Sequence, residues 1–508
     1  MRRLTQAKGT TLTALITLAS GFGFALFGYD QGVFGAFLGN ESFLKTFKNP
    51  DTTVQGHMTA TYDLGCFIGA VGTMWYGNKV GSRRNILLGC AILIVGAVLQ
   101  TTSYHTPQMI AGRLVAGVGN GMNTASIPVW QSETASARHR GHIMVLQLVL
   151  CQLGQVVSQW LNYAMTFVAA DEVSWRFPLA FQAVFALFVM ALVPFLPDSP
   201  RWLITRDRNE EAYEVLRRLG GASWGSASSP GEADDDNDNV RAAFDEIHRS
   251  VQHEMSFGKI SLRSLAHNDR LQTTRRMILG AGTQFMQQWS GINAVTYYLP
   301  VVFASLGIGR NLSLILAGCS SLNFLFSTAV GALGIERVGR KRLMICGAAS
   351  QSLCLSLVAI SLGIGGTQWN SVAVAFVFGF VSTFGLTWIA VPWMYPAEVN
   401  TQRMRVAGAG VATATNWISN YAVVLVTPLG IGNLGWGYYV IYAVLNAVFV
   451  PVLLLFYVET ARLSLEEIDA LFERRFAATP DLSALDGKPG AQHEEKSHLD
   501  VSHVSISG

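Results

Sequence analysis

Apolar residues in this chain run on in blocks. They neither alternate with polar ones nor keep to a single helical stripe. Twelve stretches, roughly 11–31, 57–77, 85–103, 108–131, 142–164, 175–196, 276–299, 312–334, 343–364, 371–392, 406–428 and 435–458, carry few or no ionisable side chains. Each is near the ~20 residues that a helix needs to cross a bilayer. In lipid the backbone must satisfy its own polar groups, which a helix does locally. Core helices of a large soluble protein are the alternative, but they have shorter apolar runs and a polar face. The expected fold is an all-α polytopic membrane protein with twelve transmembrane helices. The first stretch is too long for a signal-peptide core and has no small-residue cleavage site, so it counts as a span.

The polar intervals organise these spans into two halves. Residues 198–275 separate the sixth span from the seventh, and within them Arg206–Leu219 and Val240–Glu254 have helical periodicity with charged faces. Between those two lies GASWGSASSPGEADDDNDN, an acidic low-complexity segment expected to be disordered. The resulting division is an N-terminal six-helix half (1–197), a cytoplasmic linker with short helices (198–275), a C-terminal six-helix half (276–475) and a disordered cytoplasmic tail (476–508). The halves repeat one another. Gly77–Arg84 (GNKVGSRR) follows the second span as Glu336–Arg342 (ERVGRKR) follows the eighth, and Glu133 precedes Arg140 by seven residues as Glu398 precedes Arg405. Two motif pairs in register imply duplication. Parallel six-helix repeats build one large class of transporters, with the substrate held between them near mid-membrane.

Composition agrees with this picture. Of 508 residues, 50% are hydrophobic and only 14% charged, against about a quarter charged in soluble domains. Arg2, Arg3, Lys79, Arg83, Arg340 and Arg405 fall on one side with most other basic residues, whereas Lys45, Lys48 and Arg310 share the other with acids. The positive-inside rule then puts both termini and the linker in the cytoplasm, in a multi-pass protein of the plasma membrane. The net charge of +3 is that bias and gives no reason to expect nucleic acid. The six cysteines fall inside spans without metal-ligand spacing and are expected to serve packing. Asn40-Glu-Ser, in the first outer loop, fits an N-glycosylation site; Asn311-Leu-Ser lies close to a span.

Polar residues inside the spans mark the candidate site. Gln284, Gln287, Gln288, Asn293 and Tyr297 surround Gly291 in the seventh span. Carboxamides donate and accept without net charge, as sugar hydroxyls do, and the glycine allows the helix to break toward a cavity. Hydrogen bonding between helices is the alternative use. In the fifth span Leu148, Gln152, Gln155 and Gln159 form one stripe; Gln147 falls off it, so Gln152 and Gln155 are the stronger candidates. Asp30 and Arg113 are charges placed within apolar spans, where each costs at least ~2.5–3.5 kcal/mol unless it is paired or faces water. They form either a structural ion pair or a proton site. Asp63, also intramembrane, is expected to serve packing or a hydrogen-bond network.

FGYDQGV (Phe27–Val33), GRLVAGVGNG (Gly112–Gly121), PVWQSE (Pro128–Glu133), LPDSPRWL (Leu196–Leu203), QQWSGINAVTYY (Gln287–Tyr298), PWMYPAE (Pro392–Glu398) and VETARLSLEEID (Val458–Asp469) together resemble the sugar porter branch of the major facilitator superfamily. The resemblance runs from Leu15 to Phe472, and the wording is similar to fungal proton-coupled sugar and polyol carriers. It implies that Gln287, Gln288, Asn293, Tyr297, Trp393 and Asn416 line a sugar site, with Trp417 and Asn420 beside it. It also implies that Asp30 carries a proton and that Arg113 tunes it. Glu133, Arg140, Glu336, Arg340, Glu398 and Arg405 would form the cytoplasmic gate. The chain departs from the family at Asn78, Lys79 and Ser82, and at the last motif, which reads VETAR. Ile389 replaces a glycine that often lies at the sugar. Leu148 and Phe324 stand where the family offers a glutamine and an asparagine, with Asn323 one residue off. Apolar side chains there predict a solute with fewer hydroxyls at those points, or one leaning on Gln152.

The expected function is proton-coupled symport of a monosaccharide, hexose or pentose, by alternating access. The alternatives are symport of a polyol such as glycerol or of a disaccharide, and a non-transporting sugar sensor, which usually needs a longer cytoplasmic tail. The expected partners are the solute, protons and the lipid bilayer, with no obligate protein partner. No catalytic residue, metal site or cofactor is read from the sequence, so an enzyme is not expected.

Overall fold

A computed structural model of the chain describes residues 7–135, 140–168, 171–220, 236–256, 272–401, 404–461, 463 and 465–476. Among these the regular structure is helical throughout. The crossings of the first half are α1 (Gly9–Val33), α3 (Thr52–Val80), α4 (Ser82–Thr101), α5 (Thr106–Thr134), α6 (Arg140–Ala164) and α7 (Val173–Leu192), with α2 (Glu41–Thr46) a short helix between the first two. After α8 (Pro200–Ile204), α9 (Asn209–Leu219) and α10 (Asp236–Ser256) come six more crossings. The seventh is broken into α11 (Thr273–Trp289), α12 (Ile292–Thr296) and α13 (Leu299–Ser305); α14 (Arg310–Val338) and α15 (Arg340–Ile364) follow. The tenth is also broken, into α16 (Thr367–Thr387) and α17 (Val391–Val399), before α18 (Arg405–Leu434), α19 (Trp436–Phe456) and a final short α20 (Leu465–Phe476).

Eight of the crossings are long and apolar enough to span a membrane on that criterion alone. The four that fall short are α3, α5, α6 and the broken seventh, and their polar residues point inward. Asp63 on α3, Arg113, Asn120 and Asn123 on α5, Gln152, Gln155 and Gln159 on α6, and Gln284, Gln287 and Gln288 on α11 are all buried. The twelve-crossing expectation therefore holds, and the deficit in hydropathy marks the helices that line the interior. With 29 residues, α3 is roughly 43 Å long at 1.5 Å per residue, so its ends stand clear of a ~30 Å hydrocarbon layer.

Glycines set the close approaches. A Cβ at Gly117 would lie 2.1 Å from the Tyr62 carbonyl oxygen, and one at Gly28 would lie 1.7 Å from that of Cys151, so α5 meets α3, and α1 meets α6, backbone to backbone. The halves touch along α3 with α18 and along α6 with α14. The free cysteines Cys66, Cys90, Cys151 and Cys354 are buried in this packing, Cys319 is half-buried and Cys346 is exposed.

The internal repeat is visible down to single hydrogen bonds at the end where the basic residues cluster. Gly81 (φ +89°) and Gly339 (φ +96°) occupy the same left-handed corner before α4 and α15. Asp198 accepts the backbone N–H of Arg83 at 3.2 Å, and Glu459 accepts that of Arg340 at 2.7 Å, so each acid caps a helix N-terminus. Ser199 donates to Glu133 at 2.5 Å as Thr460 donates to Glu398 at 2.6 Å. Trp130 Nε1 donates to the Pro197 carbonyl as the Tyr395 hydroxyl does to that of Val458. Burial raises the Asp198 carboxyl above its ordinary range, against the pull of the Arg83 N–H and its neighbouring guanidinium groups.

Three expectations need adjustment. The seventh crossing reaches Ser305 rather than 299, because Pro300 at the start of α13 opens a fresh helical turn after the break. The tenth runs from Thr367 to Val399, interrupted at 388–390. In the acidic low-complexity segment, 221–235 lie outside the described residues, but 236–239 form the first turn of α10, where Asp238 suits the positive end of the helix dipole. Residues beyond 476, including the expected disordered tail, lie outside the described residues.

Candidate functional site

The two broken crossings face each other, and amides bridge them. Gly291 adopts φ +92°, a conformation that an L side chain rarely takes, and ends α11. The break in the tenth crossing leaves carbonyls without helical partners. Gln287 Nε2 donates to two of them, Trp388 at 3.0 Å and Ile389 at 3.4 Å, and Gln284 Nε2 donates to the Pro392 carbonyl at 2.8 Å. Asn416 Nδ2 on α18 donates to Gln284 Oε1 at 2.6 Å and to Gln287 Oε1 at 3.3 Å. Gln284 and Gln287 thus brace the break, a role that sequence reasoning did not separate from solute binding.

One turn further on, Asn293 Nδ2 donates to Gln288 Oε1 at 2.7 Å and to Asn420 Oδ1 at 2.8 Å, while Thr296 Oγ1 donates to Asn293 Oδ1 at 3.1 Å. Asn420 Nδ2 donates to Asp63 Oδ1 at 2.9 Å, as does the Tyr297 hydroxyl, also at 2.9 Å. The bonds thus form two adjacent clusters, one of Gln284, Gln287 and Asn416 and one of Gln288, Asn293, Asn420 and Tyr297, and the second is tied across to α3. Trp393 is half-buried on α17 beside it. Trp417 is fully buried and meets Phe27 of α1 edge-to-face at 5.4 Å.

Asp30 and Arg113 are both fully buried, yet no ion pair joins them among the described residues. Asp30 Oδ2 accepts from the Tyr62 hydroxyl at 2.8 Å. Arg113 donates to the Thr59 carbonyl at 2.9 Å, and its guanidinium lies 4.5 Å from the Tyr62 ring centre and 4.7 Å from that of Phe34. Cation–π contacts of this kind hold a desolvated cation at about 2 kcal/mol or more. The Tyr62 side chain thus touches both charged residues, which displaces the reading of a direct structural pair. Tyr62, Thr59 and Phe34 were not legible as partners, because an aromatic in an apolar span looks like packing.

On α6, Gln159 Nε2 donates to the Gly32 carbonyl at 3.2 Å and ties α6 to α1. Gln152 Oε1 and Gln155 Nε2 are buried and bonded to no protein atom. Gln155 lies against Gly32, where an added Cβ would come 3.1 Å from Gln155 Cγ. Gln147, off the stripe, donates to Gln131 instead. Leu148 and Phe324 are buried, and Phe324 packs on Phe384 at 5.9 Å. Asn323 does not replace it: its amide donates to the Phe378 carbonyl and to Ser382, tying α14 to α16.

At the basic end Arg340 forms an ion pair with Glu398 at 2.9 Å, with side chains 5% and 23% exposed. Glu133 accepts from Ser199, and Arg405 is half-buried at the start of α18. The side chains of Arg140 and Glu336 lie outside the described residues. At the opposite end a cavity of about 630 Å³ opens among Asn40, Lys45, Asn162, Asp171, Glu172 and Arg310. There Asn40 caps α2, accepting from the N–H groups of Ser42 and Phe43 and donating to Ser174 at 3.0 Å.

The family profile described as sugar (and other) transporter matches residues 15–472. The MFS-type transporter oryC of Aspergillus oryzae is 40% identical over 476 residues, which cover 91% of this chain and 86% of that relative. The sugar transporter STL1 of Saccharomyces cerevisiae is 37% identical, over 92% of this chain and 82% of its own length. Among solved structures, the MFS proton:xylose symporter XylE bound to 6-bromo-6-deoxy-D-glucose superposes with a TM-score of 0.75 at 24% identity, covering 91% of this chain and all of that one. This last likeness is one of fold. These relatives are transporters rather than enzymes, and the chain is an integral multi-pass membrane protein that belongs to the sugar transporter family of the major facilitator superfamily.

Proposed function

We propose that this protein is a proton-coupled symporter that carries a monosaccharide, hexose or pentose, by alternating access. The observation that carries this reading is a buried, uncharged region of amides at two broken crossings, hydrogen-bonded directly to one buried carboxylate and close to a second. Amides match hydroxyls as donor and acceptor. Gln152 Oε1 and Gln155 Nε2 supply polar atoms that no other side chain uses. The clustering of basic residues supports termini on the cytoplasmic side; a plasma-membrane location and a linker at 198–275 between the two halves belong to the same reading. A second reading, transport of a smaller polyol such as glycerol, draws on the apolar Leu148 and Phe324. A hydroxyl left without a partner there costs ~1–3 kcal/mol.

Uptake of labelled glucose, xylose, glycerol and a disaccharide in cells lacking their own carriers tests the proposal, with and without a protonophore. Concentrative uptake of glucose or xylose that the protonophore abolishes is expected. Uptake confined to glycerol selects the second reading, and accumulation that survives the protonophore removes proton coupling.

The locks at the basic end act as the gate in this scheme. Arg340 is nearly buried in its pair with Glu398, whereas Lys79 is exposed. Breaking a buried pair is worth ~3–5 kcal/mol, and an exposed lysine at most about 1. Arg340→Ala should therefore cut initial uptake at least about ten-fold at equal surface level, and Lys79→Ala less than about five-fold. Equal losses in a side-by-side uptake measurement count against unequal locks.

A further inference from the structure

Asp63 is fully buried on α3, in the first half, yet both of its hydrogen-bond donors come from the second half. Its Oδ1 accepts from Tyr297, at the kink after α12, and from Asn420 on α18. The same Asn420 Nδ2 also reaches the Tyr297 hydroxyl at 3.2 Å, closing a three-membered cluster. From Asn420 the chain of bonds continues to Asn293 and then to Gln288.

The direction of every bond in that chain follows from its first member. A carboxylate can only accept. Asn420 must therefore turn its NH2 toward Asp63, which leaves its Oδ1 facing Asn293. Asn293 answers with its own NH2, whose second proton goes to Gln288 Oε1, and its Oδ1 is left to accept from Thr296. One lone pair of the Gln288 carbonyl is thereby taken, and its Nε2 is held as the donor end for an incoming hydroxyl.

We propose that Asp63 is a positioning residue for the solute site: through Asn420 and Tyr297 it fixes which ends of Asn293 and Gln288 donate and which accept. This rests on the amide region being the solute site. It also joins that site to the buried charges. The groups facing Asp63 that titrate or carry charge are Cys66 on its own helix, Arg113 on α5, and Tyr297 and Tyr298 beyond α12; α18 brings the neutral Asn420. Asp30 is bonded to Tyr62, the residue next to Asp63. Two carboxylates and one guanidinium carry one negative charge in excess. A single proton taken from the outer water neutralises the group, and its release to the other side restores it. Asp63 Oδ2 is buried and unbonded; with a proton there the carboxyl can donate as well as accept, and the direction of the bonds beyond is no longer forced. Proton and solute would then be read by the same line of bonds.

The test uses the purified full-length protein, with solute binding followed by tryptophan fluorescence for glucose, xylose and glycerol. Asp63→Asn keeps the shape and volume but can present either an oxygen or an NH2. It should weaken binding roughly ten-fold, and so should Asn420→Ala. Because both interrupt one relay, the double variant should bind no more than about two-fold more weakly than either single one. The Asp63→Asn protein should also show a weaker dependence of affinity on pH than the wild type, with the part that is due to Asp30 remaining. A purely packing role gives no such non-additivity. Singles that multiply to about a hundred-fold loss in the double variant, or an Asp63→Asn protein that binds as the wild type does, would overturn the relay alone. A wild type that binds none of the three solutes overturns the solute site as well. Should Asp63→Asn not be recovered folded, Asn420→Ala paired with Asn293→Ser closes the same cycle one bond further along.

Discussion

Asp30→Asn should abolish concentrative uptake while leaving solute exchange close to the wild-type rate. Asp30 is fully buried in α1, and its one hydrogen-bond donor is the Tyr62 hydroxyl at 2.8 Å. Asparagine has the same shape and its carbonyl can still accept that bond, so the helix packing around Tyr62 and Arg113 is preserved. What it loses is the ability to take up and release a proton. One charge moving through 100 mV is worth ~2.3 kcal/mol, enough for about fifty-fold accumulation. A carrier without that charge still alternates when loaded, so counterflow persists while the accumulation ratio falls to about one. The two are separated by measuring steady-state accumulation of labelled solute in energised vesicles and exchange in the same vesicles without a gradient. A variant that still concentrates solute several-fold would remove Asp30 from the coupling step and leave Asp63 as the carboxylate to examine.

Much of this fold was legible because hydropathy in a membrane protein is a strong signal. The crossings fall where the apolar blocks do, and the duplication is written in the Gly77–Arg84 and Glu336–Arg342 motifs. The structure extends that repeat to Asp198 with Glu459 and Ser199 with Thr460, pairs whose kinship is hidden because the residues differ while the bonds agree. The breaks were legible only in part. Gly291 announces the first, and Pro392, which has no N–H to give the Trp388 carbonyl, marks the interruption of the tenth crossing at 388–390, although TrpIleAla alone reads as helix. What satisfies its orphan carbonyls is Gln287 from another helix, and that partner has no local signal. The same limit applied to Asp63. Its charge was evident, but its partners lie 234 and 357 residues away in the chain, and no spacing rule links them. Periodicity was more informative on α6, where it separated Gln152 and Gln155 from Gln147.

Within the amide region, the structure ranks residues that the sequence left level. Gln288 contributes one hydrogen bond, from Asn293 to its Oε1, whereas Asn293 holds Gln288, Asn420 and Thr296 together. Gln288→Ala should therefore weaken solute affinity by about five- to thirty-fold, the loss of a buried hydroxyl's partner. Asn293→Ala should fall at the upper end, up to about 150-fold, because it also frees Asn420 and so disturbs the link to Asp63. Gln287→Ala belongs to a different class. It strips the bonds from the Trp388 and Ile389 carbonyls at a helix break, so its first effect should be on the amount and melting temperature of folded protein. Measuring affinity, maximal exchange rate and thermal stability for the three variants separates these roles. Equal affinity losses at Gln287 and Gln288 with unchanged stability would mean that the glutamine at the break touches the solute directly. Unchanged affinity in both Gln288→Ala and Asn293→Ala, at normal stability, would make the seventh crossing a structural element and move the solute site toward Gln152 and Gln155 on α6.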